Sequence, residues 1–216
     1  MSESTSATPS IIPVAPGSSM TFLQDSPYLT RIHIAKDVPE EVSVPPHWHE
    51  LHDEVFHVVE GRLEVLVGTV KRFYVPEDGQ ILIPKGTLHS LRVVKGEECV
   101  FEEGTVGMVR QCISYIKSVE ITSSADSDRD RSRVSRTLTP CLQGPEKELF
   151  FRNMYAEGEE ASGFFAVMQI MYHGDMRPGL PLHIKWLERL LVGFAGYYIA
   201  PLLGYKLAIP SIKKNI

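Results

Sequence analysis

The stretch His47-Trp48-His49-Glu50-Leu51-His52-Asp53-Glu54, with Gly61 after six more residues, decides how this chain is read. In a strand, residues two apart point to the same face, so His47 and His49 present two imidazoles to one point while Trp48 faces away. Glu54, after a short turn, opens another apolar strand and can return its carboxylate to that point from the next hairpin arm. Gly61 supplies the backbone freedom of a tight reversal. A second stretch, Asp78-Gly79-Gln80-Ile81-Leu82-Ile83-Pro84-Lys85-Gly86-Thr87-Leu88-His89, reads as a strand, a Pro-Lys-Gly turn and a returning strand that opens with His89. His89 is therefore the candidate fourth ligand beside His47, His49 and Glu54.

Outward from these stretches, residues 21–122 consist of short runs rich in Val, Ile, Leu, Phe and Tyr, broken by Gly, Pro or acidic clusters. Such spacing signals antiparallel strands in a sandwich or barrel. The expected strands are Arg31–Ile34, Val55–Glu60, Leu63–Val67, Arg72–Val75, Gln80–Ile83, Ser90–Val94 and Gln111–Glu120. Residues 1–20 form a polar, Pro-containing segment, expected to be mostly mobile, in which Ile11, Ile12 and Val14 offer an edge strand. Residues 123–140 mix Asp126, Asp128 and Asp130 with arginines and almost no apolar side chains, which reads as a solvated linker or loop.

From residue 141 to 216 the period shifts towards helical spacing. Pro145–Ala156 carries the pairs Phe150/Met154 and Phe151/Tyr155, and Ala161–Tyr172 is apolar nearly all round. Leu187, Leu190, Leu191, Phe194, Tyr197 and Tyr198 form a seam for a third helix ending near Pro201. The uncharged run Leu190–Tyr205 has 16 residues, short of the roughly 18 of a membrane-span candidate. With Lys185, Arg189, Lys206, Lys213 and Lys214 around it, the run would still suit peripheral contact with an anionic membrane, although core or dimer burial also produces such seams.

The two histidine-bearing stretches resemble the cupin superfamily. Its first motif is matched by His47, His49, Glu54 and Gly61, without the initial glycine, and its second by Pro84, Gly86 and His89, with Gly79 one residue closer and Val93 where asparagine is usual. The resemblance spans about half the chain and is most similar to the short cupins of fungal secondary-metabolite pathways. It implies a mainly β fold: a single double-stranded β-helix (jelly-roll) barrel, here with a C-terminal α-helical extension, often dimeric, with a metal at the barrel mouth.

Three imidazoles and a carboxylate suit one divalent transition-metal ion, iron(II) favoured, with manganese, nickel, copper or zinc also possible. His33, His52, His57, His173 and His183 lack such company and read as surface or satisfied histidines. His52, lying between the ligands, is the candidate catalytic residue, as a pocket base or as an outer partner of the ligands. Glu50, Asp53 and Glu60 flank the site and could hydrogen-bond the ligands from outside, although solvent exposure is the plainer reading of Glu50 and Glu60. Phe164, Phe165, Tyr172 and Trp186 could close the mouth over a substrate, although packing against the sheet is their plainer role.

The net charge of -5 gives no general attraction to phosphate backbones, so nucleic acid is not an expected partner. Cys99, Cys112 and Cys141 are odd in number and widely spaced, which reads as reduced thiols. Residues 1–20 lack a basic start followed by an apolar stretch, giving an expected cytoplasmic address. The expected function is a metal-dependent enzyme of specialised metabolism acting on a small phenolic, enolic or polyketide-like molecule, as an oxygen-using dioxygenase. The alternatives are a redox-neutral isomerase or cyclase and a non-catalytic small-molecule-binding or membrane-associated protein.

Overall fold

The computed structural model describes residues 10–24, 26–105, 143–155 and 163–207. Its strands form two antiparallel sheets. The first runs in the order β1 (Ile11–Ala15), β2 (Ser18–Phe22), β3 (Thr30–Ile34), β10 (Cys99–Thr105), β5 (Glu54–Glu60) and β8 (Gln80–Ile83). The second runs β11 (Met176–Pro178), β4 (Ser43–His49), β9 (His89–Val93), β6 (Leu63–Val67) and β7 (Val70–Tyr74). Together they make a two-sheet jelly roll.

Alternation along the strands explains why the sheets face each other. In β3, Thr30, Ile32 and Ile34 are buried and Arg31 is exposed; in β9, His89, Leu91 and Val93 are buried between half-buried neighbours. Their inward residues join one core, with Ile32, Phe56, Val58 and Phe101 from the first sheet and Leu63, Val65, Leu91 and Val93 from the second. Area removed from water is the main favourable term in such a core.

Six expected strands appear within a residue or two of their expected ends. Strand β10 was not expected, because Glu102 and Glu103 interrupt its apolar pattern; Glu102 is neutralised by Arg31 across the ladder at 2.7 Å. Strands β1 and β2 also pair, with Ile12 opposite Met20, so the sheet takes in residues that the sequence reading set in the N-terminal tail. The expected strand at Gln111–Glu120, the linker at 123–140, and Cys112 and Cys141 lie outside the described residues. Cys99 is a buried thiol, pushed up to about 12 by burial first and by the charges of Glu97 and Glu60.

The C-terminal region contains helix α1 (Gln143–Met154), helix α2 (Phe164–His173) and helix α3 (Lys185–Val192). Helix α3 continues through a wider π-helical stretch, Gly193–Ile199, into the short α4 (Ala200–Leu202). The helix ends at Leu202, one residue past Pro201, close to the end that the sequence places near that proline. Gly196 lets this stretch approach α2 closely, since a Cβ there would lie 2.2 Å from the Met168 carbonyl oxygen. Among the described residues no helix is long and apolar enough to cross a membrane.

The extension is not purely helical. Between α2 and α3 it contributes β11, whose Met176, Arg177 and Pro178 pair with His49, Trp48 and His47 of β4. Behind them Trp48 donates from Nε1 to Glu188 of α3 at 2.6 Å, and the Leu180 N–H donates to the same buried carboxylate at 2.8 Å. Burial of Glu188 is tolerable because its oxygens are paired.

Gly61, in the turn between β5 and β6, has φ +74, and a Cβ there would lie 2.1 Å from the Glu98 carbonyl oxygen. Gly61→Ala should lower stability by about 1–2 kcal/mol from the left-handed backbone alone, and further from the clash. The measurement is the urea midpoint against wild type; an unchanged midpoint would mean the turn has another conformation.

Candidate metal centre

Strand β4 bends at Pro45 and Pro46, where the pairing register with β9 shifts between Val44 and His47. Prolines cannot donate to the ladder, so a bulge is their natural place in a sheet. Beyond the bulge His47 pairs directly with His89 of β9. The chain then crosses from the second sheet to the first through residues 50–53, and Glu54 opens β5 facing the same interior. His47, His49, Glu54 and His89 are all buried, and one ligand-type atom from each lies within 4.8 Å of the others. The four residues singled out in the sequence thus come together.

Each imidazole is oriented through its outer nitrogen. Nδ1 of His47 donates to the Pro45 carbonyl at 2.8 Å, Nδ1 of His49 to the Asp175 carbonyl at 2.7 Å, and Nδ1 of His89 to the Thr87 carbonyl at 3.0 Å. With the proton on Nδ1, each ring keeps its Nε2 lone pair for the interior. Glu54 meets two of these nitrogens, with Oε1 3.2 Å from His49 Nε2 and Oε2 3.0 Å from His89 Nε2. Lone pair facing carboxylate oxygen is repulsive unless a proton or a cation lies between. Among the described residues Nε2 of His49 has no hydrogen-bond partner, although it is buried.

Burial sets the charge states. It lowers His47 well below the usual imidazole value, helped by the neighbouring imidazoles His89 and His49, and it lowers His49 to about 4. For Glu54 burial acts upward, but His49 and the Lys147 ammonium beside it outweigh it and hold the carboxyl well below its usual range. Neutral imidazoles and an ionised carboxylate are the forms in which these groups bind a metal.

Three further residues, none anticipated from the sequence, complete the surroundings, two from the extension and one from β10. Lys147 of α1 is buried and donates to Glu54 Oε1 at 3.1 Å; Glu54 and Glu103 raise its pKa against the effect of burial. Glu103 of β10 lies 3.9 Å from Lys147, and burial followed by the Glu54 charge pushes its carboxyl well up. Asp175, at φ 53, gives its carbonyl to His49 and its carboxylate to the Leu51 N–H at 2.7 Å and to His52 Nδ1 at 3.0 Å.

His52 lies beside the cluster rather than in it. Its ring stacks on His49 at 4.4 Å, but its Nε2 accepts from Lys147 at 3.4 Å and it lines a neighbouring cleft of about 340 Å³ rather than the cavity of the four converging groups. His57 lies away from the cluster, stacked on Tyr28. Glu50, Asp53 and Glu60 do not hold the imidazoles: Glu50 pairs with Arg189 at 2.9 Å, Asp53 accepts from the Lys85 N–H at 2.8 Å, and Glu60 is exposed. Backbone carbonyls take the outer role that the sequence assigned to those carboxylates.

Three of the four groups, His47, His49 and Glu54, open on a cavity of about 370 Å³ lined mainly by apolar side chains, among them Ile34, Phe56, Leu63 and Phe101 from the sheets. Phe150, Phe151 and Met171 of the helices close it. Helices therefore do cover the site, but with other aromatics than expected: Phe164 and Trp186 are 54% and 66% exposed.

A family model described as the cupin domain matches residues 34–106, the span that holds all four converging residues. The chain thus carries a cupin domain. Among curated proteins none matches. Among solved structures it is similar to KdgF from a Halomonas species, at 25% identity over 44% of this chain and 84% of that one, with a TM-score of 0.34. It is also similar to the polyketide cyclase RemF from Streptomyces resistomycificus, at 24% identity over 43% and 68% with a TM-score of 0.33. A third is an RmlC-like cupin from Shewanella frigidimarina, at 18% identity over 44% and 80% with a TM-score of 0.35.

The depressed His49 value has a stability consequence. An imidazole with pKa about 4 in the fold and about 6.5 when unfolded takes up protons preferentially in the unfolded chain between those values. Its contribution is complete above about 6.5 and is lost as pH falls towards about 4, and His47 acts in the same direction. The urea midpoint of chelator-treated protein should therefore decline through this window. A flat midpoint would contradict buried neutral imidazoles.

Proposed function

We propose that this protein is a metal-dependent cupin enzyme of specialised metabolism that acts on a small phenolic, enolic or polyketide-like molecule. The observation that carries this reading is the convergence of three Nε2 lone pairs and the Glu54 carboxylate on one point at the wall of an apolar cavity. A divalent cation held by His47, His49, Glu54 and His89 would relieve the lone-pair contacts with Glu54 and give the buried His49 Nε2 a partner. The donor set suits iron(II) first, and manganese, nickel, copper or zinc also match imidazole and carboxylate ligands. Such an ion supplies Lewis acidity or, if redox-active, a centre for oxygen chemistry.

The chain's own residues set the rest. Apolar walls exclude water and accept a flat, weakly polar molecule, and a cavity of about 370 Å³ is in the range of small-ligand sites. Lys147 and Glu103 border the same cavity, the first as a cation and the second as a carboxyl kept protonated by its surroundings. Both can donate to an oxygen of a bound enol or phenol. His52 is held by Asp175 and faces Lys147 and the neighbouring cleft.

An oxygen-using, dioxygenase-type reaction is the first reading. The paired proton donors Lys147 and Glu103 favour the second, a redox-neutral isomerase or cyclase using the ion as a Lewis acid.

Elemental analysis of protein purified without added metal should find one divalent transition-metal ion per chain. His47→Ala and His89→Ala should each lose most of it while His57→Ala keeps it; equal losses in all three would sink the ligand assignment. For a phenolic or enolic compound that the enzyme converts, turnover should stop when oxygen is removed. Turnover that persists without oxygen and with zinc in place of iron would reject the oxygenase and leave the isomerase or cyclase.

A further inference from the structure

The segment from β11 to the end of α4 shows two opposite apolar faces. One is used: Val192, Ala195 and Ala200 are buried, and Gly196 rests against α2. The other is not. Leu182, Trp186, Leu190, Phe194, Tyr198 and Leu202 follow one another at intervals of four and are all exposed, Leu182 and Leu202 at 81%.

An interval of four drifts around an α-helix of 3.6 residues per turn. The π-helical stretch at Gly193–Ile199 has wider turns, so an interval of four drifts the opposite way there. From Trp186 to Leu202 the two drifts offset and keep the stripe on one side of the segment, and Leu182 adds to it from the turn before α3. Contiguous apolar surface of this kind on a folded domain marks an interaction site.

Charge decides the partner. Between Gly179 and Leu207 the sole carboxylate is Glu188, which is wholly buried, whereas Lys185, Arg189 and Lys206 are exposed. Glu50, from the β4–β5 crossing, pairs with Arg189, leaving the two lysines to set the sign of the rim. In a two-fold contact between copies this patch would meet itself, and cations would face cations with no carboxylate in the patch to meet them. An anionic lipid surface supplies the missing charge. It also suits the chemistry of Trp186 and Tyr198, whose apolar rings carry polar atoms and favour the headgroup level.

We propose that the Leu182–Leu202 stripe is a peripheral docking surface for anionic lipid bilayers, with the apolar side chains entering the headgroup boundary and Lys185 and Lys206 meeting phosphates. The segment lies on the membrane and does not cross it. This surface is independent of the metal centre.

The test is sedimentation of the full chain with phosphatidylcholine vesicles, with and without phosphatidylserine, at low and high salt. Wild type should pellet with the phosphatidylserine vesicles, be released by salt, and stay in solution with phosphatidylcholine alone. Leu190→Glu and Phe194→Glu change exposed positions and should each reduce the bound fraction roughly tenfold, with thermal midpoints like wild type showing intact folding. Three results would overturn the proposal: no binding to either vesicle, equal binding to both, or wild-type-like binding by folded variants. Light scattering adds a fourth, a wild-type dimer that Phe194→Glu makes monomeric without any vesicle binding.

Discussion

Three hydrogen bonds from imidazole Nδ1 atoms to backbone carbonyls govern the centre of this molecule. Each fixes a tautomer and a ring direction at once, and together they aim three bare nitrogen lone pairs at one carboxylate. Carbonyls are suited to the task because the fold places them rigidly and they carry no proton to lose. Two come from residues two positions before their histidines, Pro45 and Thr87, so local strand geometry supplies them. The third, Asp175, comes from 126 residues away and depends on the extension being docked.

That dependence makes the C-terminal region part of the site. Lys147 compensates Glu54, Phe150 and Phe151 wall the cavity, Asp175 holds His49 and His52, and Glu188 anchors Trp48 on the reverse side of the strand that bears His47 and His49. Removing Lys147 would leave a buried carboxylate without its ammonium, and an uncompensated buried charge is far more costly than an exposed one. A divalent ion would add positive charge beside Lys147, with the Glu54 carboxylate facing both and Glu103 able to ionise in response.

The sequence shows the barrel and the convergence of four residues because both follow from short-range rules. Alternation marks strands such as Leu63–Val67, and His-x-His with a turn-linked Glu54 puts three groups near one point before any long-range contact is known. What stays hidden is long-range or short. Strand β11 has three residues, too few for a period, and β10 carries two acids whose partners, Arg31 and Lys147, lie far off in the chain. The aromatics of α1 and α2 look alike in sequence, and only docking separates Phe150 at the cavity from Phe164 in solvent. His52 shows how far nearness in sequence reaches: its ring lies on His49, while its nitrogens meet Asp175 and Lys147 at the neighbouring cleft, contacts that only the docked extension supplies.

The pairing of β11 with β4 bears on how the protein behaves in a crowded solution. Without β11, the strand holding His47 and His49 would end its sheet with unpaired amides and carbonyls, a template on which another chain can add. β11 covers part of that row, and being three residues long and ended by Pro178 it offers little ladder for further growth. The same short strand that steadies the ligand-bearing edge thus also guards it against runaway self-assembly.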